Sequence, residues 1–511
     1  MSCITLPIIF QDHMVLQQQK DIFIQGTCSS AGQLTIQFDA IQIAVPVIQN
    51  KFQCTFPAQE AGYHHTISFY LENNTEPEVV LKDISIGDVW LAAGQSNMEY
   101  FLRYDAHWND TKRLPKNNHI HMFNMPQIAF EGQQRDLPDS GYWFQEGDSA
   151  WGTFSAPGYY FVRNLQPHLD IPVAVIGCNW GGTPACAWME EHYLSKEPLT
   201  IFQKEYLEAI SNVSSEKLKE ESLRSWAFED NYHHQIEWRA MMYGLTYEEQ
   251  QVWMKEHASD PVLPMGPYHH YRPSGLYHTM IEKLAPFSLK GILWYQGESD
   301  SGHADIYDQT MTALIQCYRD TFQDADLPFL FAQLAPFRVW LDCIGDHYEI
   351  VRQMQDNVSK AIPHTGMISL MDLGMYEDIH PKFKREVGER FALLARGTVY
   401  GENILCESPE VISTSLNHNS ITLTCTNFGK GLTSDAEPAR EFSLSVNGKN
   451  IEILQCDVKE SEINLSFDYS VDKTLSASFT LSYCYQPYCN GNIWNSAGLP
   501  LKPFHQIISL S

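Results

Sequence analysis

Four short clusters in this sequence hold the side chains that acyl transfer needs. The first is Gly94-Gln95-Ser96-Asn97-Met98-Glu99, which puts a serine just after a glycine bend. The second, Trp180-Gly181-Gly182-Thr183, is a tight turn able to present backbone N–H groups. The third, Gln296-Gly297-Glu298-Ser299-Asp300, offers a side-chain amide at Gln296. The fourth, Glu377-Asp378-Ile379-His380-Pro381, offers a histidine preceded by two carboxylates. A hydroxyl nucleophile, a base to take its proton and donors for a developing oxyanion are the parts of such a site.

Each cluster also has a plainer explanation. Ser96-x-x-Glu99 reads as a capping box, in which the serine caps a helix and the glutamate reaches back to it. Gly181-Gly182 is an ordinary turn, Gln296 a surface amide, and His380 a cap or loop residue. Singly, these readings win; together, the four clusters point to chemistry. Pro381 suits the first position of a helix with Phe383, Val387, Phe391 and Leu394 on one face. His380 is then expected at the N-terminal boundary of that helix. There the helix dipole disfavours imidazolium, while a carboxylate at Asp378 or Glu377 favours it and fixes the tautomer.

The elements that must position these clusters are legible in the hydrophobic pattern. Asp88-Val89-Trp90-Leu91-Ala92-Ala93, Ile171 to Gly177, Gly291 to Tyr295, Pro328 to Leu334 and Gly366 to Leu370 read as buried strands. Tyr307, Met311, Leu314, Ile315, Tyr318 and Phe322 mark an amphipathic helix between two of them. Strands alternating with helices predict an α/β layer fold. Each polar cluster follows the C-terminal end of a strand, the edge at which open α/β sheets bind ligands. Before residue 86 the chain reads as a small β-sandwich, with strands at Asp21 to Gln25, Leu34 to Phe38, Phe52 to Phe56 and Thr66 to Leu71. Beyond about 405 it turns to β again, at Ser420 to Thr424, Glu441 to Val446, Ile463 to Phe467 and Ala477 to Tyr483. The expected division is therefore 1–85, 86–404 and 405–511, with a mostly helical insertion at about 195–272 overhanging the site.

Composition narrows the partners. The chain has 511 residues, 62 acidic against 34 basic, for a formal charge of −28. That balance argues against nucleic acid or an anionic membrane surface. No apolar run approaches a membrane span, and Met1 to Gln19 lacks the charged and apolar regions of a signal peptide. The expectation is a soluble chain, either intracellular or relieved of a signal and then periplasmic or secreted. The twelve cysteines are scattered without a C-x-x-C pair, and no spacing suggests zinc. The pairs His64-His65, His233-His234 and His269-His270 point apart on any regular element and read as surface or loop residues.

The clusters resemble the successive blocks of the sialate O-acetylesterase family, within the SGNH hydrolase superfamily. The resemblance extends from Leu6-Pro7-Ile8-Ile9-Phe10-Gln11-Asp12-His13-Met14-Val15-Leu16-Gln17 to Trp494-Asn495-Ser496-Ala497-Gly498-Leu499-Pro500. It implies an SGNH-hydrolase core, flavodoxin-like and three-layered, flanked by all-β domains, and an esterase that uses neither metal nor cofactor. It also implies roles: Ser96 as nucleophile, His380 as base and then acid, Asp378 as the orienting carboxylate with Glu377 as its rival. The Ser96 N–H, the Gly181-Gly182 turn and the Gln296 amide would form the oxyanion hole. The implied substrate is O-acetylated sialic acid, with Arg163, Arg272 and Arg338 as candidates to meet its carboxylate. Xylan or another acetylated plant polysaccharide is the second reading, and a non-catalytic carbohydrate-binding protein the reading from another class.

Overall fold

Val89 to Ala93 form the end of a 16-residue strand, Val79–Gly94, and are fully buried in the computed structural model. The structure describes residues 3–30, 32–72, 74–285, 287–417, 419–435, 439–468 and 478–509. Burial on both faces suits the middle of a parallel sheet. On one side the strand pairs in parallel with Val173–Asn179, on the other with Gly291–Tyr295. Phe329–Ala332 and Thr365–Ile368 continue the parallel run past Gly291–Tyr295. Ile120–Asn124 extends it past Val173–Asn179, and Trp143–Phe144 closes that edge antiparallel. The strand Ile120–Asn124 has no counterpart in the hydrophobic pattern, because its five residues, Ile-His-Met-Phe-Asn, carry two polar side chains.

Two helix pairs pack beside this sheet: Ala156–Leu169 with Lys384–Thr398, and Tyr307–Thr321 with Tyr348–Ala361. The helix expected to start at Pro381 starts instead at Lys384. Its first N–H groups are capped from a distance, since Asp105 Oδ2 accepts from the backbone N–H of Lys384 (2.8 Å) and of Arg385 (3.3 Å). Phe383 therefore lies outside the helix and 43% exposed, while Val387, Phe391 and Leu394 are buried as expected.

The N-terminal strands Ile22–Cys28, Gly32–Phe38, Lys51–Phe56 and Gly62–Leu71 fall where the sequence puts them. A further strand, Ile41–Val47, escapes the pattern because Pro46 interrupts it. Gly62–Leu71 pairs antiparallel with the first half of Val79–Gly94, and Val15–Gln17 pairs parallel with it. One strand thus belongs to both the N-terminal sheet and the central sheet, and the 85/86 position falls inside it. The two regions also share a continuous apolar core, in which the Phe10 and Phe287 rings sit 5.6 Å apart.

From Glu410 onward strands fold around a separate core, which, among the described residues, Met371 joins from the preceding region. Its strands include Ser420–Thr426, Phe442–Val446, Glu462–Phe467 and Ser478–Tyr483. Ala477, expected to begin the last of these, lies outside the described residues. The 195–272 segment carries the helices Thr200–Ile210, Ser215–Glu229, Tyr232–Gly244 and Tyr247–Glu256. Ser214, Asn231 and Thr246 cap the last three through their side chains. Among the described residues no helix is long and apolar enough to cross a membrane.

Candidate active site

The register of the three central strands brings their ends level. Gly94 sits opposite Asn179 on one side and Tyr295 on the other. The chain then leaves the sheet as Gln95-Ser96, Trp180-Gly181-Gly182 and Gln296-Gly297-Glu298, side by side at the C-terminal edge. Gly94 has a φ of +139°, and a Cβ there would lie 2.2 Å from the Tyr295 carbonyl oxygen. Both facts demand glycine. Gly94→Ala is expected to destabilise the fold by about 3 kcal/mol, measured by urea unfolding, since the clash is with a strand backbone that cannot step aside.

Ser96 begins a one-turn helix, Ser96–Glu99, and the capping box is not formed. Glu99 reaches sideways instead. Its Oε2 accepts from the Gly181 N–H (2.6 Å), and its Oε1 from Arg239 Nη2 (2.8 Å) and Nε (3.1 Å). Arg239 comes from the insertion helix Tyr232–Gly244, so this buried ion pair ties the insertion to the serine turn. Glu99→Ala is expected to cost on the order of 3 kcal/mol in urea unfolding, because it leaves the Arg239 guanidinium buried without its carboxylate.

Ser96, Gly181, Gly182 and His380 line one cavity of about 1180 Å³, roofed largely by the insertion. A Cβ at Gly181 would lie 3.4 Å from that of Ser96, which places the two turns in contact. His380 is 2% exposed, its ring held edge-on by Tyr243 (5.2 Å) and Trp340 (5.1 Å). Tyr243 also sends its hydroxyl towards the Ser96 carbonyl at 3.5 Å. Asn97, next to the serine, is the hub beneath them. Its amide donates to the Ile379 carbonyl (2.9 Å) and to Glu298 Oε1, and its oxygen accepts from Lys384 Nζ. Burial pulls the Lys384 ammonium down to about 7.

Asp378, not Glu377, lies beside the imidazole: its Oδ1 is 3.7 Å from His380 Nδ1, while Glu377 is exposed. That separation is too long for a hydrogen bond. Oδ1 accepts from the His380 backbone N–H (2.8 Å), Oδ2 pairs with Lys382 (2.7 Å), and Nδ1 is buried without a partner. Burial first, then the charges of Lys382 and Lys384, hold His380 well below the ordinary imidazole range. The helix dipole is not among the causes, because the helix begins four residues later.

The expected oxyanion donors divide. Gln296 is fully buried, does not line the cavity, and spends its amide on the Thr183 carbonyl (3.2 Å) and Asp300 Oδ2. Its oxygen accepts from the Tyr307 hydroxyl (2.9 Å). A buried amide must satisfy both ends, and here it does so by stitching strand ends together below the site. The Gly181 N–H is likewise turned to Glu99. Gly182, at φ +74°, reaches the cavity, and a Cβ there would strike the Tyr271 hydroxyl at 1.9 Å. In this arrangement two of the four expected donors, Gln296 and Gly181, are engaged by protein partners.

Sequence reasoning also missed the aromatic and imidazole wall. His269 is buried and His270 half-buried, neither of them superficial, and His270 stacks on Trp180 at 4.7 Å and 13°. Trp340, Tyr243 and Arg239 come from segments without a recognisable motif. Only their three-dimensional convergence reveals them.

Residues 252–395 match the family model of the sialic acid-specific acetylesterase carbohydrate esterases, a stretch that holds Gln296, Asp378 and His380. The rat sialate O-acetylesterase is 26% identical over 380 residues, covering 69% of this chain and 64% of the rat protein. The human sialate O-acetylesterase is also 26% identical, over 355 residues, covering 64% of this chain and 56% of the human protein. The chain is similar to the sialate O-acetylesterases. The likeness read from its motifs is thus borne out, although it spans less than two thirds of either mammalian protein. A carbohydrate acetylesterase from Xanthomonas citri has the same overall fold, with a TM-score of 0.75 at 24% identity, covering 98% of this chain and 99% of its own.

Proposed function

We propose that this protein is a serine carbohydrate O-acetylesterase. The observation that carries the reading is the shared cavity, which holds Ser96 and His380 together, with Asn97 bonded to the residue preceding the histidine. In this reading Ser96 Oγ attacks the acetyl carbonyl of a sugar ester while His380, neutral by burial, takes the hydroxyl proton. The tetrahedral oxyanion faces the backbone N–H groups of Ser96 and Gly182, one such donor being worth about 3 kcal/mol. Collapse expels the sugar oxygen, which takes the proton from His380. Water then attacks the acetyl-serine, gives its proton to His380, and acetate leaves as Ser96 is reprotonated. Asp378 orients the imidazole, which requires its 3.7 Å separation to close when substrate binds.

The names of the relatives put O-acetylated sialic acid first among the sugars to assay. The reading also assigns an SGNH-type, flavodoxin-like three-layer core to 86–404 and supporting β-domains to 1–85 and 405–511. Rapid quenching of the protein with an activated acetate ester, followed by peptide mass spectrometry, tests the mechanism. An acetyl group on the Ser96 peptide is the expected result. Turnover without acetylation of that peptide would sink the assignment, and binding of acetylated sugar with no acetate release would favour a carbohydrate-binding protein.

A further inference from the structure

The two arginines that line the cavity are both neutralised. Arg239 is held by Glu99. Arg135 pairs with Asp230 at 2.5 Å, lies 5.1 Å from the ring centres of Trp180 and Trp226, and its side chain is 4% exposed. Among the described residues no lysine lines the cavity. Burial holds three of its imidazoles, His234, His270 and His380, below the ordinary range, and a fourth, His303, is already engaged by Glu205 at 3.0 Å. Carboxyl groups are present in excess: Glu229, Glu298 and Asp300 face it, and Glu298 Oε2 and Asp300 Oδ1 are buried without a hydrogen-bond partner. The three arginines expected to meet a sugar carboxylate are elsewhere. Arg163 is spent on Glu146, Arg272 points to the Ala129 carbonyl, and Arg338 pairs with Asp346; none lines the cavity.

What the wall does offer is aromatic surface. Trp180 is stacked on His270, Trp340 abuts His380, and Trp238 and Trp253 from the insertion lie 5.5 Å apart. The C–H faces of sugar rings pack on such surfaces without needing charge. At about 1180 Å³ the space exceeds the roughly 1000 Å³ upper range for a drug-sized ligand, and a single sugar ring would leave most of it empty.

Resting on the acyl-transfer reading, we propose that the cavity takes a neutral O-acetylated oligosaccharide of several residues in preference to an anionic sugar acid, with Trp238 and Trp253 as stacking platforms. An anion placed beside the unpartnered oxygens of Glu298 and Asp300, with both cavity-lining guanidiniums already claimed, pays for its desolvation without a counter-charge. A neutral chain does not.

The test compares acetate release from p-nitrophenyl acetate, an O-acetylated neutral tetrasaccharide, the matching O-acetylated monosaccharide and 9-O-acetylated sialic acid. kcat/KM on the tetrasaccharide is expected to exceed that on the sialate by about a hundredfold or more. It should also exceed that on the monosaccharide, and Trp238→Ala should lower the tetrasaccharide value by about tenfold more than the small-ester value. Equal or faster turnover of the sialate overturns the proposal, as does equal turnover of mono- and tetrasaccharide. If the protein fails to cleave even p-nitrophenyl acetate, the acyl-transfer reading falls instead. Calorimetric binding of the unacetylated tetrasaccharide against sialic acid then decides the sugar preference alone.

Discussion

Ser96→Ala is expected to lower kcat on any acetyl ester by about 10⁴-fold or more while leaving thermal unfolding and circular dichroism unchanged. The size follows from the proposed mechanism, in which Ser96 Oγ forms the covalent bond; without it, what remains is whatever the cavity achieves by holding substrate near water. The absence of a folding defect follows from the turn itself. Its shape is set by Gly94, by Asn97 bonded to the Ile379 carbonyl and by Glu99 on the Gly181 N–H. The capping box is not formed, so removing the hydroxyl takes no cap from the helix. Parallel assays and melts of both proteins decide the matter. A variant that retains half of the wild-type rate would remove Ser96 from the mechanism.

The second large effect concerns His380. His380→Ala is expected to cost on the order of 10⁴-fold in kcat, and the pH profile of the wild type should carry the signature of a buried base. Only neutral imidazole can accept the serine proton. Burial, Lys382 and Lys384 all disfavour the imidazolium, so the group stays neutral to a lower pH than an ordinary histidine. The acid limb of kcat/KM is therefore expected below pH 6.5, with activity level from there to neutrality. Lys382→Met removes one of the charges that oppose protonation, which raises the affinity of His380 for a proton and moves the limb upward in pH. A wild-type limb at or above 6.5, or a downward movement in Lys382→Met, would contradict this account. Because Lys382 also pairs with Asp378, the variant is read by the position of the limb and not by its height.

Much of the framework was legible because parallel strands buried on both faces announce themselves as unbroken apolar runs. Gly291–Tyr295 is found with the limits its sequence suggests, and the helix Tyr307–Thr321 follows its spacing. The polar clusters at strand ends were legible for the same reason. Partnership was not. Nothing local distinguishes Gln296 bonding inward from Gln296 facing substrate, or shows that Glu99 prefers the Gly181 N–H to its own turn. The partner of Glu99 is 82 residues away in sequence, and the Thr183 carbonyl that joins Asp300 and Tyr307 around Gln296 is 113 away. The start of the helix after His380 was misplaced because its cap, Asp105, is 279 residues away from Lys384. The walls supplied by Trp238, Trp253 and Arg239 belong to a segment whose local signals are helix caps, such as the Thr246–Glu249 capping box, which say nothing of a site.

The strand Val79–Gly94 has a consequence for how the polypeptide tolerates cutting. Its first half completes a sheet with Gly62–Leu71 and Val15–Gln17, and its second half carries the serine turn. A truncation that starts the chain at residue 86 would strip that strand of its outer partners and lay open the apolar core around Phe10 and Phe287. Exposed apolar surface and unsatisfied strand edges of this kind drive aggregation. The N-terminal strands are in this sense scaffolding for the serine turn, and expression of residues 86–511 alone should yield inclusion bodies at a far higher fraction than expression of residues 1–511.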